Sequence, residues 1–310
     1  MWKEALLHAY YAATLATRRR AVAARAAAGS EPVQMLFYHR IADEHPNDWT
    51  MSTRSFARQL AWLQDRFDVV SLEEAQARIA SGQNDRPTAC ITFDDGYADN
   101  CQFAIPLLLE QRVPFTYFVS TDQVLRGRSF PHDVAAGQPL PVNTLAQLQD
   151  LAAAGVEIGA HTRSHASLGA NLTDVQLADE IVGSKRELEA TLGGSVRYFA
   201  FPYGRHENMS PAAFQVAYDA GFAGVCSAYG GYNFPGDDAF HLRRFHADPA
   251  FIRFKNWLTV DPRKVRQQLD FEPGNFRMHA NQEQLVDLAG VTNVLPIDTQ
   301  TSSLAPVLTN

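Results

Sequence analysis

The chain has 310 residues and is 46% hydrophobic, enough to bury one sizeable core as a single large α/β domain or two smaller ones. Its formal net charge of −7 argues against nucleic acid as the main partner, because phosphate binding needs clustered Lys and Arg. Cys90, Cys101 and Cys226 are too few and too scattered for a disulfide framework, and read as ordinary thiols in a reducing compartment.

The opening segment, MWKEALLHAYYAATLATRRRAVAARAAAG, reads as an Ala-rich helix with a basic end. Glu4, a weak apolar stretch, and Arg18–Arg20 placed after that stretch argue against a secretory signal. No run of about 18 apolar residues follows to span a membrane. A cytoplasmic location is therefore expected. Packing against the body of the protein is the expected role of this helix, with peripheral contact to an anionic membrane as the alternative.

From residue 33 onward, β-rich runs alternate with helical segments. The runs are VQMLFY (33–38), FDVV (67–70), TACITF (88–93), PFTYFV (114–119), GVEIGA (155–160), VRYFAF (196–201), FAGVC (222–226) and HLRRF (241–245). Between them, Ser71-Leu-Glu-Glu74 predicts a capping box, in which Ser and Glu satisfy each other's end of the first helical turn. Thr173-Asp-Val-Gln176 predicts another, opening a helix with an apolar stripe of Leu177, Ile181, Leu188 and Leu192. Thr144 should cap a helix over 145–154 that stops at Gly155. Ser210-Pro211 should open one that ends at Gly221. The stretch from Ser120 to Pro141 has no clear periodicity and is expected to be a long loop.

Alternating strand and helix with mostly continuous apolar strands implies a parallel sheet covered on its outer face. Seven or eight such units predict a closed or nearly closed β/α barrel, with an open doubly wound sheet as runner-up. The chain divides into an N-terminal helical extension (1–30), the barrel (31–250) and a C-terminal extension (251–310), partly flexible, whose tail TQTSSLAPVLTN is polar.

The strand ends carry the chemistry. TACITF runs into Asp94 and Asp95, GVEIGA into His161 of HTRSH with His165 beyond, VRYFAF into Pro202-Tyr203-Gly204, and QMLFY into His39. In a β/α barrel every strand delivers its C-terminal end to one face. Each residue alone is more often a turn or capping residue, but together they suit a mononuclear site. Two imidazoles and one carboxylate with an open position fit zinc or a related divalent ion. The spacing of His161 and His165 would put both on one face of a helical turn.

TFDDGY, HTRSH and FAFPYG together resemble the polysaccharide deacetylase family, the NodB-homology carbohydrate esterases, over roughly residues 33–250. The resemblance implies a distorted (β/α)7 barrel that hydrolyses N-acetyl, sometimes O-acetyl, groups on sugars. It makes Asp94 the general base and Asp95, His161 and His165 the ligands of a divalent metal. Zinc is the expected ion, with cobalt or nickel as alternatives, and the nucleophile is a water on that metal. The backbone N–H of Tyr203 is expected to share the oxyanion. The expected general acid is His39, since FYHRIAD resembles a subgroup with an early acid, whereas HLRRFHAD offers His246 in the conventional place. Many members carry an Arg where this chain has Ala200, so the cation that orients Asp94 is open between Arg243 and Arg244.

Tyr38, Tyr97 and Tyr203 are expected to offer flat faces to a pyranose, with Pro202, Arg243 and His246 as further substrate contacts. His132 and His206 are read as loop residues near the same face; His8, His45, His241 and His279 as structural or surface; Asp99 and Asn100 as the cap of the next helix. The expected partner is an acetylated sugar or glycan met inside the cell, such as a biosynthetic precursor. Two other functions fit the same residues: a metal amidohydrolase of the same fold acting on a small non-sugar amide, and a non-catalytic glycan-binding module.

Overall fold

The apolar runs become parallel strands. A computed structural model of the chain describes residues 2–274, residue 170 excepted. Val33–Tyr38, Thr88–Phe93, Phe115–Val119, Glu157–Ala160, Tyr198–Ala200 and Gly224–Cys226 pair side by side in chain order, every pairing parallel. The run HLRRFH then meets both edges. His241–Leu242 pairs with Gly224–Cys226, and Arg244–His246 pairs with Val33–Tyr38. With that run as one stave, seven strands make a nearly closed barrel among the described residues. The doubly wound alternative fails here, because its outermost strands would be unpaired edges. Asp68–Val70 is an outrigger on the first half of Thr88–Phe93.

Val33–Tyr38 and Thr88–Phe93 are buried along their whole length, which is why they are apolar without alternation. Helices cover the outer face. Thr144 and Gln147 form a full capping box on Leu145–Ala153, and Thr173 and Gln176 form another on Asp174–Ala178. At Ser71 only half of the expected box exists. Its Oγ accepts from the Glu74 amide at 3.1 Å, but the Glu74 carboxylate turns to Arg78 at 2.8 Å. The helix after Thr173 is interrupted by a π-helical turn, Asp179–Gly183, and resumes as Ser184–Leu192. The stretch expected to be loop between Ser120 and Pro141 holds two short helices, Thr121–Arg126 and Pro131–Ala135, too brief to show a helical period.

The N-terminal helix, Trp2–Ala27, packs on Phe251–Leu258, and the contact is polar. Arg18, 2% exposed, donates to the Asn256 carbonyl at 3.1 Å and to Asn256 Oδ1 at 2.8 Å, with Asp261 3.6 Å away. One of the three consecutive arginines of its basic end is therefore inside, and the helix packs on the body of the protein. No described helix is long and apolar enough to cross a membrane. Beyond 250, Phe251–Leu258 and Pro262–Gln267 are regular helices. The tail TQTSSLAPVLTN and His279 lie outside the described residues.

Candidate functional site

Asp94 follows the buried end of Thr88–Phe93, and its amide donates to the Tyr38 carbonyl at 2.9 Å, continuing the ladder by one rung. Its carboxylate, 3% exposed, receives two parallel bonds from Arg244, Nη1 to Oδ1 at 2.7 Å and Nη2 to Oδ2 at 2.9 Å. Arg244 is itself held at Nε by the Ser227 carbonyl, at 3.1 Å, and it also donates to Thr92 Oγ1 at 2.8 Å. A planar guanidinium fits this bidentate task where an ammonium would not. Burial alone would raise the Asp94 carboxyl, but Arg244, with His161 and His39, holds the group below its usual range. The cation left open by Ala200 is thus Arg244. Arg243, one residue earlier, points elsewhere and pairs with Asp237 and Asp270 at 3.2 and 2.8 Å.

Asp95 adopts a left-handed backbone, φ 75°, which turns its side chain away from its neighbour's task. His161 Nε2 lies 3.5 Å and His165 Nε2 3.2 Å from Asp95 Oδ1. His161 Nδ1 donates to the Ala200 carbonyl at 2.7 Å. A carbonyl only accepts, so Nδ1 carries the proton and Nε2 keeps its lone pair facing Asp95. The two histidines sit on no helix. HTRSH is a loop with Thr162 at φ 61° and His165 at φ 62°, and those two left-handed residues bring the rings to 5.1 Å, edge to face.

Ligand atoms of Asp95, His161 and His165 all lie within 4.8 Å of one another. Asp95 Oδ1 is buried and accepts no hydrogen bond among the described residues. Burial would raise the Asp95 carboxyl, but the facing His165, His39 and His161 hold it well below its usual range. Burial pushes the His161 imidazole down to about 4. An ionised carboxylate and neutral imidazoles are the forms that bind a cation, and a buried acceptor with no donor is what one would satisfy. The N/O donor set therefore fits a zinc-like ion with positions left open.

Asp95 and His165, with the buried His161 beside them, border a cleft of about 660 Å³ that is also lined by Asp94, His39, Trp49, Tyr203 and His246. His39 is half-buried between rings: Phe37 at 5.5 Å, Trp49 at 4.8 Å and His246 at 6.2 Å. Its Nδ1 has no partner among the described residues. Burial lowers His39, while Asp95 and Asp94 act to raise it; burial lowers His246 to about 4. Tyr203 is 52% exposed at φ 61°, its ring 5.0 Å from that of His165. The next residue must be glycine, since a Cβ on Gly204 would stand 2.5 Å from the Ala228 nitrogen.

Other expected contacts fall elsewhere. Tyr97 is fully buried, donating to Asp133 at 2.8 Å, and Tyr38 is buried and donates to Gln59 at 2.9 Å. Neither they, nor Pro202, nor Arg243 line the cleft. Asn100 caps no helix: its side chain donates to the His39 carbonyl at 2.6 Å and accepts from the Ile41 amide at 2.9 Å. His132, read as a loop residue, does line the cleft.

The sequence did not single out Trp49 or its loop. Arg40, 2% exposed, builds that loop by donating to the carbonyls of Glu44 and His45 at 3.0 and 2.7 Å and to Asp99 at 2.6 Å. Asn47 then clips it to Asp133 across the rim at 3.0 Å. An aromatic in the polar stretch DEHPNDWT was the available signal.

The chain is similar to known proteins in sequence and in fold. The family model for polysaccharide deacetylase matches residues 81–225. The Bacillus subtilis protein YxkH, provisionally named a polysaccharide deacetylase, is 28% identical over 191 residues, 60% of this chain. The match spans 62% of the length of that relative. Among solved structures, IcaB from Ammonifex degensii is similar with a TM-score of 0.64 and 25% identity, covering 74% of this chain and 97% of that one. The Streptococcus pyogenes deacetylase PplD, solved with acetate, has the same fold: TM-score 0.61, 21% identity, 74% and 98% covered.

Proposed function

We propose that the chain, which the polysaccharide deacetylase family model matches over residues 81–225, is a member of that family and a metal-dependent hydrolase removing N-acetyl, or O-acetyl, groups from a sugar or glycan. The observation that carries this reading is the adjacency of two unlike carboxylates. Asp95 offers an unpartnered oxygen to two oriented imidazoles, and Asp94 beside it is fixed by Arg244. Asp95, His161 and His165 would hold the ion, zinc by donor type with cobalt or nickel as alternatives, and it would supply Lewis acidity toward the acetyl carbonyl and toward water.

Asp94 takes a proton from the attacking water. Each of its oxygens keeps a free lone pair after Arg244 has bonded, and Arg244 restrains the carboxylate from swinging onto the ion. Tyr203 lines the cleft at a left-handed turn, and its amide donates to the oxygen that gains charge. His39 gives a proton to the departing amine, which without it is a very poor leaving group. His39 is favoured over His246 because it directly follows the buried strand Val33–Tyr38 on the cleft and its Nδ1 has no partner among the described residues. Trp49 and Tyr203 offer aromatic faces against which the C–H face of a pyranose can lie, which favours a sugar over a small cyclic amide.

The test is an acetate-release screen over N- and O-acetylated sugars after chelation and re-addition of zinc, cobalt or nickel. Acetate is expected only with metal restored, and an Asp94→Asn chain should bind zinc but lose about 10²–10⁴ in kcat. Silence on every sugar, with turnover of small amides, would overturn the sugar reading.

A further inference from the structure

The loop that carries His165 is gripped from two sides, and one grip is a single carboxylate outside the ligand set. On the inner side, three successive carbonyls are taken. Ser120 Oγ donates to His161 O at 2.8 Å, the Thr121 amide to Thr162 O at 3.3 Å and the Asp122 amide to Arg163 O at 2.8 Å. On the outer side, Glu180 accepts three bonds. The Arg163 and Ser164 amides both donate to its Oε2 at 3.0 Å, and Ser164 Oγ donates to its Oε1 at 2.5 Å.

Glu180 stands on the π-helical turn Asp179–Gly183. That turn also receives the Arg163 side chain, which pairs with Asp179 at 2.6 Å and with Glu187 at 2.8 Å. A Cβ on Gly183 would stand 2.6 Å from Arg163 Cδ, so that side chain packs directly against the turn. π-Turns are rare and recur at functional sites.

We propose that Glu180 is a positioning residue for the metal centre: it holds the 163–164 backbone so that His165 can keep a left-handed conformation and aim Nε2 at Asp95. The reason is one of balance. Thr162 and His165 are both non-glycine residues at positive φ, a conformation that costs about 1–3 kcal/mol at each position and persists only where the surroundings fix it. The inner bonds fix the carbonyls of 161–163. Only Glu180 fixes the amides next to His165 among the hydrogen bonds described. Two amides and a hydroxyl converging on one carboxylate are charge-assisted bonds of the stronger kind. The inference rests on the reading of Asp95, His161 and His165 as metal ligands, and extends it to a residue fifteen positions beyond the last of them.

The experiment is zinc titration of the full chain by competition with a chromophoric chelator, together with the visible spectrum of the cobalt form. Glu180→Ala should bind zinc about 10–100-fold more weakly, the usual effect of losing an outer partner of a ligand. Glu180→Gln keeps an acceptor for the two amides and should recover most of that loss, with a cobalt spectrum like that of the unaltered chain. Ser164→Ala, which removes one bond of three, should weaken binding less than Glu180→Ala and keeps the test open if the alanine variant at 180 does not fold. Equal zinc affinity in the unaltered and Glu180→Ala chains overturns the proposal, as does a Gln variant as weak as the Ala variant. An unaltered chain that binds no zinc or cobalt overturns the ligand assignment itself, a distinguishable failure.

Discussion

Two histidine clusters meet at Asp94, and they are held by different means. His161 is aimed by a carbonyl, His165 by a strained loop, and both face Asp95, whose Oδ1 has no donor among the described residues. His39 and His246 are held among the rings of Phe37 and Trp49, and His39 Nδ1 bonds to none of the described residues. Fixed lone pairs suit a group that must stay where it is. Ring packing around an unbonded nitrogen suits one that changes protonation during turnover. The first cluster lies within residues 81–225, the stretch that the family model matches, while His39 and His246 lie outside it.

The largest expected effect separates the clusters outright. Asp95→Ala should abolish zinc binding and bring acetate release to background, whereas His39→Ala should leave zinc bound. Loss of zinc in both, measured by metal analysis, would merge the clusters into one site. Next, His39→Ala should cost about 10²–10⁴ in kcat, the span of one general acid, and His246→Ala less than about tenfold. The reverse order in steady-state kinetics would hand the acid role to His246.

A third test concerns the carboxylate between the clusters. Arg244 and Asp94 are 0% and 4% exposed at their side chains. Removing one partner of such a buried pair costs about 3–5 kcal/mol, because the other is left uncompensated. Arg244→Met should lower stability by that amount in urea unfolding. Adding Asp94→Asn should return part of it, and additive losses would mean that the two groups are not a pair.

The smallest effect is on acid stability without metal. Burial holds His161, His241 and His246 at about 4, 3 and 4, against an ordinary 6.5. Below 6.5 the unfolded chain binds protons that the folded chain refuses, so stability falls as pH drops through 6.5 toward 4. Each such histidine contributes a slope of about 1.4 kcal/mol per pH unit. His241 lies in the closing strand beside Ser227, away from the cleft, so His241→Gln should reduce the slope by one such share without touching zinc affinity. An unchanged slope in chelator-treated protein would contradict its buried neutral state.

The strands were legible because a barrel stave buried on both faces must be apolar throughout, so 33–38 and 88–93 match Val33–Tyr38 and Thr88–Phe93 residue for residue. The grouping of Asp94, Asp95, His161 and His165 was legible because strand C-termini share one face. The backbone around the histidines was not. Four-residue spacing suits a helix, but left-handed Thr162 and His165 reach the same juxtaposition without one, and their strain is sustained by Glu180 and by Ser120, Thr121 and Asp122, all distant in sequence. The flat faces expected of Tyr97 and Tyr38 were spent inside, because each hydroxyl finds a buried acceptor. Arg244 rather than Arg243 follows from the alternation of a strand, once it is known which neighbour faces the core.

The run HLRRFH belongs half to one edge of the sheet and half to the other, and Arg244 sits in its second half. Closing the ring and seating the guanidinium on Asp94 are therefore a single event. A chain whose strands had paired only as far as Gly224–Cys226 would already own its three candidate ligands, yet its Asp94 would be free to swing onto the same ion. On the proposed reading, the base beside the metal site is therefore oriented by the same strand that closes the ring.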